Sequence, residues 1–231
     1  MEKFKLNGIR IFITKNKYEL INYAINKNTI LIALNAEKII NSKQNLISII
    51  NNNIGYIDGS GTVLAAKLKG YKKAKKIPGC ELWLDIIEKY HPYKSFYLIG
   101  SKKIVIEKVV EKLIHKYPSI DIKGYRDGFI KDENEKKGLI SNIKKMSPDI
   151  VFVAMGSPKQ EILMDEFSKE YSALYMGLGG SFDIYAGEKQ RAPLIYRRLG
   201  LEWLFRLIKE PLRIKRYSFF FKFIRKLLYG F

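Results

Sequence analysis

The chain is poor in the residues that build disulfide and metal chemistry. It has one cysteine, Cys80, and two histidines, His91 and His115, in 231 residues. A single cysteine excludes an internal disulfide framework and any Cys-rich zinc site. Two histidines leave little for a metal centre built on imidazole, and both read as structural: His91 precedes Pro92, and His115 falls in a predicted surface helix. Long apolar runs are missing as well. No stretch reaches the roughly 18 residues that a spanning helix needs, and MEKFKLNGIRIF has no signal-peptide hydrophobic region, so a cytoplasmic protein is expected. Acidic residues are scarce: 23 Asp+Glu stand against 42 Lys+Arg, a formal net charge of +19 that asks for an anionic partner. With 47% hydrophobic and 28% charged residues, the chain has the composition of a folded domain rather than a disordered one.

The positive excess is unevenly placed. Residues 188–231 hold 12 Lys+Arg and 3 Asp+Glu, a net +9 within 44 residues. Acidic residues thin out near residue 188, which divides an expected core, 1–187, from a basic and aromatic appendage, 188–231. Near the end, RYSFFFKFIRKLLYGF packs aromatics between cations. On a helix, Phe220, Phe223, Ile224 and Leu227 share one face, with Lys222, Arg225 and Lys226 opposite. That pattern suits a helix lying in an anionic membrane interface, which so aromatic an apolar side favours over the alternative, a C-terminal helix docked on the core with a solvated basic face. Interleaved aromatics and bases also suit single-stranded nucleic acid, but no RNA-binding motif accompanies them, so nucleic acid is not expected.

Through the rest of the chain, short β-rich runs alternate with helical patterns. The strand-like runs are Ile9–Ile13, Thr29–Leu34, Tyr56–Ile57, Ser95–Ile99, Ile120–Lys123, Ile150–Ala154 and Ala173–Met176. Helical periodicity falls near 17–26, 43–52, 60–69, 80–90, 102–116, 133–146 and 158–170. Such alternation predicts βαβ units, and runs such as IVFVA and FYLIG suit strands covered on both faces. The expected fold class is α/β, Rossmann-like, a mostly parallel sheet flanked by helices, with a helical basic C-terminal appendage.

In open α/β sheets, ligands bind beyond the carboxyl ends of the strands. Four polar or Gly-rich segments stand there: Asn35-Ala36-Glu37, Asp58-Gly59-Ser60-Gly61, Met155-Gly156-Ser157-Pro158-Lys159-Gln160-Glu161, and Gly177-Leu178-Gly179-Gly180-Ser181-Phe182-Asp183. Gly177, Gly179 and Gly180 allow close backbone approach to a ligand. Ser157-Pro158 reads as an N-cap with Pro at the first helical position, which would aim free N–H groups at an anion such as phosphate. Neither glycine segment is a dinucleotide fingerprint or a Walker loop, and both could be mere strand–helix turns. Asp58, after an apolar strand, is placed to act as a general base, although Asp-Gly is also an ordinary turn.

MGSPKQE, GLGGSFDIYAGEKQRAP and GLEWLFRLIKEPLRIKRY, in that order and spacing, resemble the WecG/TagA/CpsF glycosyltransferases. The DGSG turn and the ALNAE segment at 33–37 fit the N-terminal half of the same pattern, so the resemblance spans roughly residues 10–217. It implies inverting transfer of a hexose, N-acetylmannosamine-type or related, from a UDP-sugar donor to a sugar on polyprenyl pyrophosphate. The products would be teichoic acid, capsule or exopolysaccharide. The resemblance also implies no metal and no cofactor. It places the enzyme peripherally on the inner face of the plasma membrane, against an anionic surface, and leaves a homo-oligomer open.

By motif, the resemblance makes Asp58 the catalytic base and puts Gln160 near the reacting sugars. Asn35 and Lys76 become pocket residues. Gly156, Ser157, Gly179, Gly180, Asp183 and Arg191 become substrate-binding positions within the matching motifs. Arg206, Arg213 and Arg216 match appendage arginines that meet pyrophosphate; they share a helical face if helix continues through Pro211. Two positions depart from the family pattern. Ala33 stands where many members have Thr, and Lys76 where they have Arg, which keeps the charge but loses bidentate geometry. Both bear on which UDP-hexose is used (glucose, galactose or a uronic acid are the alternatives). The competing class is a non-enzymatic basic module that binds nucleic acid or membrane.

Overall fold

The structure, a computed structural model, describes residues 1–209 and 218–229. Among these, eight strands form one sheet: β1 (Glu2–Leu6), β2 (Ile9–Ile13), β3 (Ile30–Leu34), β4 (Ile54–Ile57), β5 (Ser95–Gly100), β6 (Asp121–Arg126), β7 (Ile150–Ala154) and β8 (Leu174–Gly177). Their order is β1-β2-β4-β3-β8-β7-β5-β6. Only β1 runs antiparallel to its neighbour; the remaining pairs are parallel. The first half of the chain thus builds one side of the sheet and the second half the other. They join where β3 pairs with β8, Ile30 opposite Tyr175 and Leu31 opposite Met176. A crevice at the carboxyl ends of two such halves is where ligands settle in open α/β sheets.

Helices cover both faces, as the continuous apolar runs of β4, β5, β7 and β8 require. One face carries α1 (Lys17–Ile25), α5 (Gly79–Tyr90), α6 (Lys103–Lys116) and α9 (Ser181–Ala186). They pack Leu20, Trp83, Ile106 and Phe182 against Leu31, Phe96 and Phe152. The other face carries α2 (Ala36–Asn41), α3 (Gln44–Asn52), α4 (Ser60–Leu68), α7 (Glu133–Met146) and α8 (Lys159–Glu170), with Ile39, Ile50, Leu139 and Phe167 on Ile32, Val151 and Tyr175. Beyond Gly187 follow α10 (Leu194–Arg198), α11 (Glu202–Lys209) and α12 (Ser218–Tyr229).

Every predicted strand and helix in the first 187 residues is present, with the run at 120–123 shifted to β6. Three elements there escaped the periodicity. The hairpin of β1 and β2 turns on Asn7-Gly8, both at positive φ (50° and 76°), the conformation that a two-residue hairpin turn demands. Helices α2 and α9 have only six residues each, too few to show a 3.6-residue period.

Candidate active site

Asp58 directly follows β4. Its N–H donates to the Leu34 carbonyl of β3 (3.0 Å), and its Oδ1 accepts the N–H of Gly79, the first residue of α5 (3.0 Å). The carboxylate is half-buried and oriented by that amide. Gly59 lets the turn close against β3, because a Cβ there would lie 3.0 Å from the Cβ of Asn35. Asn35 is exposed and caps α2, its Oδ1 accepting the Lys38 N–H (2.8 Å). On the α5 side, the buried Tyr56 hydroxyl lies against Gly79 and makes no hydrogen bond. Burial pushes up the Cys80 thiol and Asp58 reinforces the shift, with Arg191 only partly opposing, so Cys80 stays protonated and is no nucleophile at neutral pH.

Across the β3–β8 junction, Gln160 of α8 is buried (3% exposed). Its Oε1 accepts two backbone N–H groups, from Gly156 (3.1 Å) and from Gly179 (2.9 Å), and so ties the loop after β7 to the loop after β8. Both glycines have positive φ, 78° and 58°. Their N–H groups therefore point at Gln160 rather than outward to a ligand. The expected Ser157 cap is not formed. Pro158 takes the cap position of α8 without a side-chain cap bond, and the carbonyl of Gly156, not the Ser157 hydroxyl, accepts the Gln160 N–H (3.0 Å). Ser157 and Gly180 are exposed on this edge.

Further along, the Ser101 hydroxyl after β5 donates to Asp183 of α9, and Lys189 sits 2.9 Å from the other oxygen of that carboxylate. Burial would raise the Asp183 carboxyl, but hydrogen bonds from Ser101 and Lys189 outweigh it and hold it below the usual range. Since β4, β3, β8, β7 and β5 are successive neighbours, Asp58, Asn35, Gly179, Gly180, Gly156, Ser157 and Asp183 share one edge of the sheet.

The residues after Gly187 are clasped onto this edge by ion pairs. Lys76, just before α5, meets Glu202 of α11. Arg191 reaches Glu81 of α5 (2.6 Å) and Glu202 (3.9 Å), and Arg197 also reaches Glu81 (3.3 Å). Gly200, at φ 75°, lies against Ser60 of the Asp58 turn, where a Cβ would meet the Ser60 hydroxyl at 2.7 Å. Lys76 and Arg191 thus both have carboxylate partners, with Glu202 common to the two. Arg206 belongs to α11; its side chain, and the whole of Arg213 and Arg216 with Pro211, lie outside the described residues.

The Phe223 side of helix α12 docks on the core. Phe223 is 2% exposed, packed against Gly61 of the Asp58 turn and Ala36 beside Asn35, while Leu227 joins the same cluster and Lys226 meets Asn7 of the hairpin. The physical reason is an uncovered apolar seam between α2 and α4, which a Phe side chain fills more favourably than water does. Exposed apolar side chains of the appendage are Leu194, Ile195 and Leu199 on and just after α10, Trp203 and Ile208 on α11, and Phe221 on α12 itself, 78% exposed.

The acid behaviour of the fold follows from its paired carboxylates. Asp149, at the amino end of β7 and away from this edge, bonds Lys94 (2.7 Å) and the Ser95 N–H (2.8 Å). Burial opposes its ionisation, but these bonds hold it below the ordinary range, as Lys38 does for Glu161. A depressed folded pKa gives stability that is present above the unfolded value, about 4, and is lost as pH falls through the folded one. The melting temperature should therefore fall steeply below about pH 4, and Asp149→Asn should flatten that acid limb; an equally steep limb in the variant would contradict the assignment.

A Rossmann-like sheet, with a carboxylate and two glycine loops on one carboxyl edge, defines an α/β protein whose candidate site lies at that edge. The chain belongs to the glycosyl transferase WecG/TagA/CpsF family, whose model matches residues 6–230. It is a glycosyltransferase, and the family connects it with cell-surface polysaccharide synthesis. Sequence reasoning passed over Ser101, Lys38, Glu161, Glu81 and Glu202. Ser101 follows a strand at the same edge and could have been found by that rule. The other four pair with residues 110 to 126 positions away, Lys38 with Glu161, Glu81 with Arg191 and Glu202 with Lys76.

Proposed function

We propose that this chain is an inverting glycosyltransferase that moves a hexose of N-acetylmannosamine type from UDP to a sugar carried on polyprenyl pyrophosphate. The observation that carries this reading is Asp58: a half-buried carboxylate at the carboxyl end of β4, held by the Gly79 amide. In the proposed step, the acceptor hydroxyl oxygen bonds to the anomeric carbon as its proton passes to Asp58. The bond from that carbon to UDP breaks, and its electron pair stays on the β-phosphate oxygen. Fixed cations of the appendage, Arg206, Arg213 and Arg216 among them, stabilise that charge in place of a divalent ion. The product enters teichoic acid, capsule or exopolysaccharide.

The donor is open to a second reading. Ala33, half-buried beside Gly79 and Tyr56, offers no hydroxyl, and Lys76 is engaged by Glu202, so glucose, galactose or a uronic acid on UDP fits the same class. The appendage, 188–231, would bring the enzyme to the inner face of the plasma membrane, where the lipid-linked acceptor resides. Support comes from the basic surplus of that segment and from the exposed Leu194, Ile195, Leu199 and Ile208. No helix among the described residues is long and apolar enough to cross a membrane.

The test is a panel of UDP-sugars against a short-chain lipid-pyrophosphoryl-sugar, read by mass spectrometry with and without EDTA. One UDP-hexose should be transferred with inversion, and EDTA should leave the rate unchanged. Loss of activity in EDTA would overturn the fixed-cation reading, and transfer from no UDP-sugar by folded protein would overturn the donor class.

A further inference from the structure

We infer that Gln160 acts as a clamp between the two glycine loops, and that Lys38 and Glu161 are positioning residues that fix the orientation of its amide. The inference rests on the reading above in that these loops are taken to line the donor site. A side-chain amide can sit in two orientations that exchange its oxygen and nitrogen. Here the oxygen must face the loops, because it collects the N–H groups of Gly156 and Gly179, two donors 23 residues apart in the chain. The flipped amide would present its NH2 to both of them.

The partner that holds the correct orientation is Glu161, whose Oε1 accepts from Gln160 Nε2 (3.0 Å). An ionised carboxylate can only accept, so it selects the donor end of the amide. That carboxylate is wholly buried, and a buried charge requires a counter-charge. Lys38 supplies it at 2.7 Å, with a side chain only 9% exposed. Lys38 is fixed in turn, since its own backbone N–H is the one that Asn35 caps. The chain of contacts therefore runs from the α2 cap after β3, through Lys38, Glu161 and Gln160, to the loops after β7 and β8. There is no slack on the sheet side: a Cβ on Gly177 would lie 2.5 Å from Gln160 Nε2. With both amide atoms engaged inside the protein, Gln160 shapes the loops and is not itself a catalytic residue.

Breaking one half of the pair leaves a bare buried charge and risks unfolding, whereas replacing both ions by apolar side chains of similar size is often tolerated. The decisive variant is therefore Lys38→Met/Glu161→Met. Amide hydrogen exchange at Gly156 and Gly179 and the Kd for UDP by calorimetry are measured on the full chain, with thermal melting alongside. The double variant should melt near the wild type, exchange these two amides about tenfold faster, and bind UDP about tenfold more weakly, the loss of one hydrogen bond's worth of orientation. Gln160→Met, which leaves the ion pair in place, should expose the same two amides and serves if the double variant does not fold. Unchanged protection of Gly156 and Gly179 in Gln160→Met, or in a folded double variant, overturns the clamp. A wild-type protein that does not bind UDP overturns the donor reading alone, because exchange still reports the clamp.

Discussion

Asp58→Asn should abolish turnover, by about 10²- to 10⁴-fold in kcat, the range that a positioned general base contributes, while folding and UDP binding stay intact. The substitution is well suited to the question because the amide oxygen of Asn can still accept the Gly79 N–H, which Asp58 does at 3.0 Å. What it removes is the capacity to take up the acceptor proton. The turn around it is also constrained by neighbours that the substitution leaves alone: the Asp58 N–H bonded to Leu34, and Gly59 pressed on Asn35. Steady-state kinetics with the transferred UDP-sugar, together with calorimetry for UDP, separate the two effects. A folded Asp58→Asn enzyme turning over within about tenfold of the wild type would remove Asp58 from the chemistry, since the loss would then be about ten- to a thousand-fold smaller than a base supplies.

The parts of the molecule legible in the sequence were those written in local pattern. Strands such as IVFVA announce themselves because both faces are covered, and the residues following them mark the ligand edge without any knowledge of topology. Asp58, Asn35 and the glycines at 156, 179 and 180 were found by that rule. The order β4-β3-β8-β7 that brings them together was not, because strand order depends on contacts far apart in the chain. Gln160 shows the limit most clearly. Its motif marked it as functional, yet nothing local reveals that its oxygen accepts two backbone amides from separate loops. The same holds for Lys76 and Arg191: their charge suggested phosphate, and only the fold supplies Glu202 as a partner for both. Asn7-Gly8, by contrast, was a local signal overlooked, since the pair marks a hairpin by itself.

Phe223→Ala should destabilise the protein by about 3–5 kcal/mol, the usual cost of emptying a buried aromatic site. For a chain of this size that lowers the melting temperature by roughly 6–20 °C. The ring is 2% exposed and fills the space between Gly61 and Ala36, next to the two turns that carry Asp58 and Asn35. Catalytic efficiency should therefore fall together with stability, although the residue lies on a helix at the far end of the chain. The amphipathic pattern of α12 is the same whether its aromatic side meets lipid or core, so a second variant is needed to separate the two. Leu194→Ser/Ile195→Ser/Leu199→Ser changes apolar side chains that are exposed on and just after α10. It should leave the melting temperature within a few degrees of the wild type, as surface substitutions do, and weaken sedimentation with vesicles containing phosphatidylglycerol. The opposite pattern, with Phe223→Ala melting like the wild type but losing the vesicles, would return the aromatic face of α12 to the bilayer and make α10 a bystander.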